Sequence, residues 1–215
     1  MRIQGTYYKG FSIVYLFLLI LIFGSVDYFL KNLIHSYTFF PHITESKRNV
    51  TQLINSPELW GSSLGVMFKV ILDVCLTSIL IKAAVVVMRA RVSFGKIVKT
   101  VSVCYLVFLI QFIIEFGYIK LFFHPSDYKQ LGQFSFLSIA YFLNELHISY
   151  PHYLAYLFQV LGLFEFIYWG VLIIGIKRIS GFSLKNSSVV VLVSYVFVLF
   201  IWLLLITYLT LINSV

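Results

Sequence analysis

A chain of 215 residues that is 60% hydrophobic, 19% aromatic and only 11% charged excludes a water-soluble fold, because an ordinary soluble domain carries about 25% charged residues. The formal charge of +8 does not point to nucleic acid, since no aromatic-basic patch accompanies it; the basic residues sit at the ends of apolar segments and read as topology signals and headgroup contacts. Five spans with their loops use up nearly the whole length, so no separate soluble domain is expected.

The expected fold is all-α: a polytopic transmembrane helical bundle of about five spanning helices plus one short interfacial or re-entrant helix, a single domain over residues 1–215. A crossing needs roughly 20 mainly apolar residues, because a helix rises about 1.5 Å per residue across about 30 Å of hydrocarbon. The first such segment, Phe11 to Leu30, follows Arg2 and Lys9 like a secretory signal. It is longer than a signal core and no A-x-A-like site follows, so it reads as a retained span. A long polar connection from Lys31 to Ser63, with Pro41, Pro57, Glu45, Lys47 and Arg48, leads to a second span, Leu64 to Met88. The short link Arg89 to Lys99 joins it to a third, Val101 to Ile119.

The next connection, Lys120 to Tyr153, contains the apolar stretch FSFLSIAYFLNELH, Phe134 to His147, which is too short to cross. A fourth span over Leu154 to Ile176 and a fifth over Val189 to Ile212 are separated by the short link Lys177 to Ser188. Short links make helices two and three, and four and five, antiparallel neighbours. The alternating pattern of barrel strands is missing. Cys75 and Cys104 fall inside spans, where they behave as small apolar residues and report no redox compartment.

Orientation follows from Lys and Arg near the span ends. With the N-terminus cytoplasmic and the C-terminus outside, the inner side holds Arg2, Lys9, Arg89, Arg91, Lys96, Lys99, Lys177, Arg178 and Lys185. The outer side holds only Lys31, Lys47, Arg48, Lys120 and Lys129, over longer loops. A bacterial cytoplasmic membrane is the expected location, with the lipid bilayer, other membrane proteins or a second copy of the chain as partners.

Ionisable groups inside spans are the most informative residues, because each costs at least about 2.5 to 3.5 kcal/mol at a helix centre unless it pairs or meets water. On helix two, Gly65, Lys69, Asp73 and Thr77 recur every four residues and form one polar stripe. Asp27 of helix one and Glu115 of helix three fall at a similar depth in the outer half, and Glu165 of helix four lies near mid-membrane with Gly162 and Trp169 on roughly its face. Lys82, near the inner end, is free to snorkel. Lys69, Asp73, Glu115, Glu165 and Asp27 therefore support two readings. In one they are a proton or cation pathway, with carboxylates that titrate or coordinate and Lys69 as internal counter-ion. In the other they are a buried charge network in which Asp73 and a neighbouring carboxylate neutralise Lys69 and hold helices in register.

The histidines, His35, His42, His124, His147 and His152, all fall in the two long outer loops, with Glu45 and Asp127. If the loops fold over each other these groups could make a metal or pH-sensing site, but no spacing among them is a ligand motif, so neither a metal nor a cofactor is the expectation. The pair Gly61 and Gly65, and Gly162, Gly170 and Gly175 on helix four, allow close helix packing. H-E-x-x-H, G-x-S-x-G and Walker signatures are absent, and nothing pairs a nucleophile with a base, so the chain reads as non-enzymatic.

Two stretches, ARVSFGKIVKTVSVCYLVFLI over Ala90 to Ile110 and FIYWGVLIIGIKRISGFSLKNSSVVVLV over Phe166 to Val193, resemble the Yip (Ypt-interacting protein) family of five-span membrane proteins, its prokaryotic members especially. The first is similar to the family's basic, Gly-containing turn into its third span, and the second to its fourth-span exit and small-polar start of span five. The resemblance implies a five-span fold and a role in organising a membrane complex, trafficking or the lipid environment. It supplies no catalytic residues.

Overall fold

The computed structural model describes residues 14–26, 57–121 and 135–213. Its helices are α1 (Val14–Val26), α2 (Pro57–Val87), α3 (Phe94–Cys104), α4 (Leu106–Leu121), α5 (Ile139–Glu145), α6 (Ala155–Val160), α7 (Leu163–Ser180), α8 (Leu184–Val191) and α9 (Phe197–Asn213). A 3-10 turn over His152–Leu154 precedes α6, and a π-helical turn over Leu192–Val196 joins α8 to α9. Among the described residues there is no strand, and Ser138 and Gly162 form an isolated antiparallel bridge.

Among the described residues three helices are long and apolar enough to cross a membrane: Leu64–Val87, Phe94–Tyr118 and Leu184–Ile212, of 24, 25 and 29 residues. The second is α3 and α4 running through Tyr105, which keeps right-handed helical angles (φ −62°, ψ −18°). The third is α8, the π turn and α9 in one run. Only 33%, 28% and 28% of their most apolar windows are buried inside the chain. The apolar remainder, including Phe68, Leu72, Leu76 and Ile79 on α2 and Phe197, Ile201, Leu204 and Leu205 on α9, faces outward, as helices in lipid require.

Among the described residues the expected count of five is not reached by length and composition. The described helix α1 is shorter than a crossing. The expected fourth span, Leu154 to Ile176, is divided at Leu161 and Gly162, both in extended conformation (φ −77°, ψ 95° and φ −135°, ψ 174°). Hydropathy counts side chains and is blind to this backbone event. Leu161 and Leu163 exchange bonds with the segment before α5, Ile139 N–H to the Leu161 carbonyl at 3.0 Å and Leu163 N–H to the Leu137 carbonyl at 3.0 Å. A Cβ at Gly162 would stand 3.2 Å from Ser138 Cα and 3.3 Å from the Leu137 carbonyl oxygen, so glycine permits this approach. The remaining helix, α7, has 18 residues and carries Glu165, Lys177 and Arg178.

Both short connections are present but shorter than expected: helix takes in Phe94 to Lys99 of the Arg89–Lys99 link, and Lys177 to Ser180 and Leu184 to Ser188 of the Lys177–Ser188 link, leaving turns at 88–93 and 181–183. α2 and α3 pack together across the turn that follows Val87, and α7 and α8 across a turn that begins at Gly181, whose φ of 73° closes α7. Lys82, near the end of α2, reaches into the following turn, where its Nζ donates to the Val92 carbonyl at 2.7 Å and ties the turn back onto α2.

The core lies where α2, α3, α7 and α8 meet. Val74, Ile81 and Val85 of α2, Ile97 and Val101 of α3, Leu172 and Ile176 of α7, and Val190 and Val191 of α8 are fully buried. At Gly175 an added Cβ would fall 2.6 Å from Thr100 Cγ2, so α7 and α3 touch closely there. Around Gly65 and Gly170 there is nothing within 4 Å, and these two do not mark a packed interface among the described residues.

Candidate functional site: two carboxylates in a tyrosine cage

The polar stripe of α2 brings Asp73 and Thr77 inward, half-buried and buried respectively, while Lys69 remains exposed. The Tyr105 hydroxyl, reaching from the junction of α3 and α4, donates to Asp73 Oδ2 at 2.8 Å. Lys69 makes no ion pair with Asp73 or Glu165 among the described residues; its charge acts on Glu165 only through space. The partner of Asp73 is thus a phenol of another helix rather than the lysine one turn away.

Glu165 is 6% exposed and stands in the first turn of α7. The break at Gly162 therefore places a carboxylate at the positive end of a helix instead of in mid-helix, a favourable position for the anion. Glu165 Oε1 accepts from the Trp169 indole at 2.8 Å and from the Tyr195 hydroxyl at 2.9 Å. Trp169 lies one turn along the same helix, as its spacing predicts. Tyr195 comes from the π turn, a feature frequent at functional positions because its extra residue re-aims side chains. Oε2 takes no hydrogen bond among the described residues.

Tyr168, only 1% exposed, packs against both Tyr105 and Tyr195, the phenols that bond the two carboxylates. Its ring centroid lies 6.2 Å from Tyr105, 4.9 Å from Phe108 and 5.3 Å from Tyr195, and Phe23 of α1 meets Tyr105 at 5.5 Å. Thr77 is a polar neighbour of the Tyr168 hydroxyl without hydrogen-bond geometry between them. Edge-on aromatic packing of this kind holds the phenols in place. The arrangement fixes two carboxylates with oriented O–H and N–H donors in a water-poor setting.

Glu115 does not join them. Its Oε1 accepts from Gln111 Nε2 at 3.0 Å and from the Phe136 backbone N–H at 2.9 Å, fastening the segment before α5 to α4. Beside it Tyr118 and Tyr141 share a hydrogen bond of 3.0 Å between their hydroxyls, with Phe136 packed 4.5 Å from Tyr118. The short helix expected in this region is present as α5, capped by the Ser138 hydroxyl accepting from Tyr141 N–H.

Asp27, His35, His42, His124, Glu45 and Asp127 lie outside the described residues. Among the described residues no group of three His, Cys, Asp or Glu side chains comes together as a metal site. Sequence reasoning missed Tyr105, Tyr168 and Tyr195. The signal was a phenol in the middle of an apolar run, whose hydroxyl needs a partner once buried. No family model matches the chain, and no curated protein or solved structure matches it.

Proposed function

We propose that this integral membrane protein is non-enzymatic and organises a membrane complex, trafficking or the lipid environment around it, the role implied by its resemblance to Yip proteins. In this reading the chain has about five crossings and lies in a bacterial cytoplasmic membrane, N-terminus cytoplasmic and C-terminus outside. The observation that carries the non-catalytic reading is the engagement of both carboxylates, half-buried Asp73 by Tyr105 and buried Glu165 by Trp169 and Tyr195, by aromatic donors. A hydrogen bond to a charged group contributes about 1.5–3 kcal/mol, comparable to the insertion cost of the group, so these acids serve to lock helices together. The surface left for partners is apolar and outward-facing. Purification in a mild detergent, with mass spectrometry of the proteins and lipids retained, tests the proposal; a chain that repeatedly purifies alone and monomeric counts against it.

A second reading, a small transporter or channel moving protons or cations past Asp73 and Glu165, is favoured by the buried Tyr168 hydroxyl, which takes no hydrogen bond among the described residues although its ring packs against the phenols that bond the two acids. Flux into reconstituted vesicles decides it. If flux is present and survives Asp73→Asn combined with Glu165→Gln, these residues are not its route.

A further inference from the structure

The turn between α2 and α3 has a feature that neither the carboxylate network nor the apolar surface uses. α2 ends in a paired cap, with Ala90 N–H bonded to the Val85 carbonyl at 3.1 Å and Arg89 N–H to the Val86 carbonyl at 2.9 Å. This places Arg89 in left-handed conformation, φ 60°, at the position where helices ordinarily place glycine. A bulky residue held there at a conformational cost calls for a reason in its side chain.

Arg89 lines a shallow cavity of about 480 Å³ together with Lys82, Arg91 and Ser93, and with Val86 and Val92 as apolar wall. No acidic residue lines the cavity among the described residues. Lys82 spends one ammonium proton on the Val92 carbonyl and retains two more donors. Ser93, the residue before α3, makes no side-chain capping bond, so its hydroxyl is not committed to the helix it precedes. Arg89 and Arg91 make no ion pair among the described residues. Three basic residues and a hydroxyl on the lining of one cavity, without a carboxylate, match the charge and the acceptor chemistry of a phosphate group, and guanidinium forks bind it in two-point fashion. The adjoining valines, Val86 being 54% exposed, suit a phosphate carried on an apolar body.

We propose that this cavity is a phosphate-binding site whose ligand is the headgroup of an anionic phospholipid. Positive charge at a cytoplasmic turn attracts any anionic surface diffusely; a built site differs in being saturable and in depending on individual side chains. It rests on the chain being a membrane protein, not on the organising role, since lipid retention and partner co-purification are scored separately.

The test uses the full chain in a neutral detergent, incubated with mixed micelles of phosphatidylcholine and phosphatidylglycerol, with retained lipid counted by native mass spectrometry. Phosphatidylglycerol is expected to be retained selectively and saturably, and Arg89→Gly and Arg91→Gln each to weaken retention about tenfold. Arg89→Gly removes the guanidinium while supplying the residue that the backbone favours, so its melting temperature should not fall and lost binding is not lost folding. Inorganic phosphate and pyrophosphate are titrated in parallel. Displacement of the lipid by either supports the site as a reader of phosphate. Binding of inorganic phosphate without lipid enrichment overturns the lipid assignment. Equal retention of both lipids, or enrichment unchanged in both variants, overturns the site.

Discussion

Replacing Tyr195 by Phe deletes one oxygen and leaves the ring that packs 5.3 Å from Tyr168 in place. The Glu165 Oε1 atom then keeps only its Trp169 bond. Hydrogen bonds between membrane helices average about 0.6 kcal/mol and reach about 1.7, and the acceptor here is a carboxylate, so the single change should cost about 1 kcal/mol. Adding Trp169→Phe removes the second donor and strands a carboxylate that is 6% exposed. Leaving a buried charge without a partner costs about 3–5 kcal/mol, so the double variant should lose at least about 3 kcal/mol, more than the two single losses added. Glu165→Gln is the matched control, because its amide oxygen can accept both bonds; its loss should stay within about 1 kcal/mol. Thermal unfolding in detergent, followed by loss of far-ultraviolet helical signal, reads every variant against the parent. A double variant as stable as the parent, or a Glu165→Gln protein less stable than the double variant, would refute the idea that these donors compensate the buried acid.

Gly162→Ala puts a methyl group 3.2–3.3 Å from the backbone at Leu137 and Ser138; it should cost about 1–3 kcal/mol as overpacking, and a gain in stability on the same melt would mean that the helix prefers to run through this position. Glu115→Ala frees the Phe136 N–H, and faster amide exchange should appear through α5 while α3 stays protected; unchanged exchange in α5 would show that the aromatic contacts hold it alone. Gly181→Ala forces a side chain into left-handed backbone at φ 73° and should cost about 1 kcal/mol, visible as a lower midpoint of thermal unfolding.

How far the sequence discloses this structure depends on whether the determining contact is local. The apolar centres of the runs at 64–87, 94–118 and 184–212 are legible because a long, mainly apolar stretch leaves little else for the backbone to do, whereas the starts of the last two at Phe94 and Leu184 lie among Lys96, Lys99 and Lys185, which read as connection. The inward facing of Asp73 and Thr77 is legible for the same reason: a spacing of four residues is geometry within one helix. The fourth run differs because Gly162 is drawn out of helix by Leu137 and Ser138, some twenty-five residues earlier in the chain, and no local pattern announces that. The same holds for Asp73, whose neighbour Lys69 is the obvious partner along the helix, whereas its bond is to Tyr105. Lys82 illustrates the limit for charged residues near a span end: its sequence position announces an amine near the end of the helix but not the particular carbonyl, Val92, that receives it.

The π turn at Leu192–Val196 has a further consequence for the last helix. Each residue of an α-helix advances the chain by about 100°, so one surplus residue rotates everything after it relative to everything before it. The face of α8 that carries Ser187, Val190 and Val191 into the core is thereby out of phase with α9, and the two halves of one continuous rod present different faces to the bundle. A deletion of a single residue within that turn would relax it to an ordinary helix and swing either Tyr195 away from Glu165 or the whole of α9 around its axis. A single-residue gap in this stretch of any related chain would therefore signal a different pairing of the acid, even where Glu165 itself is kept.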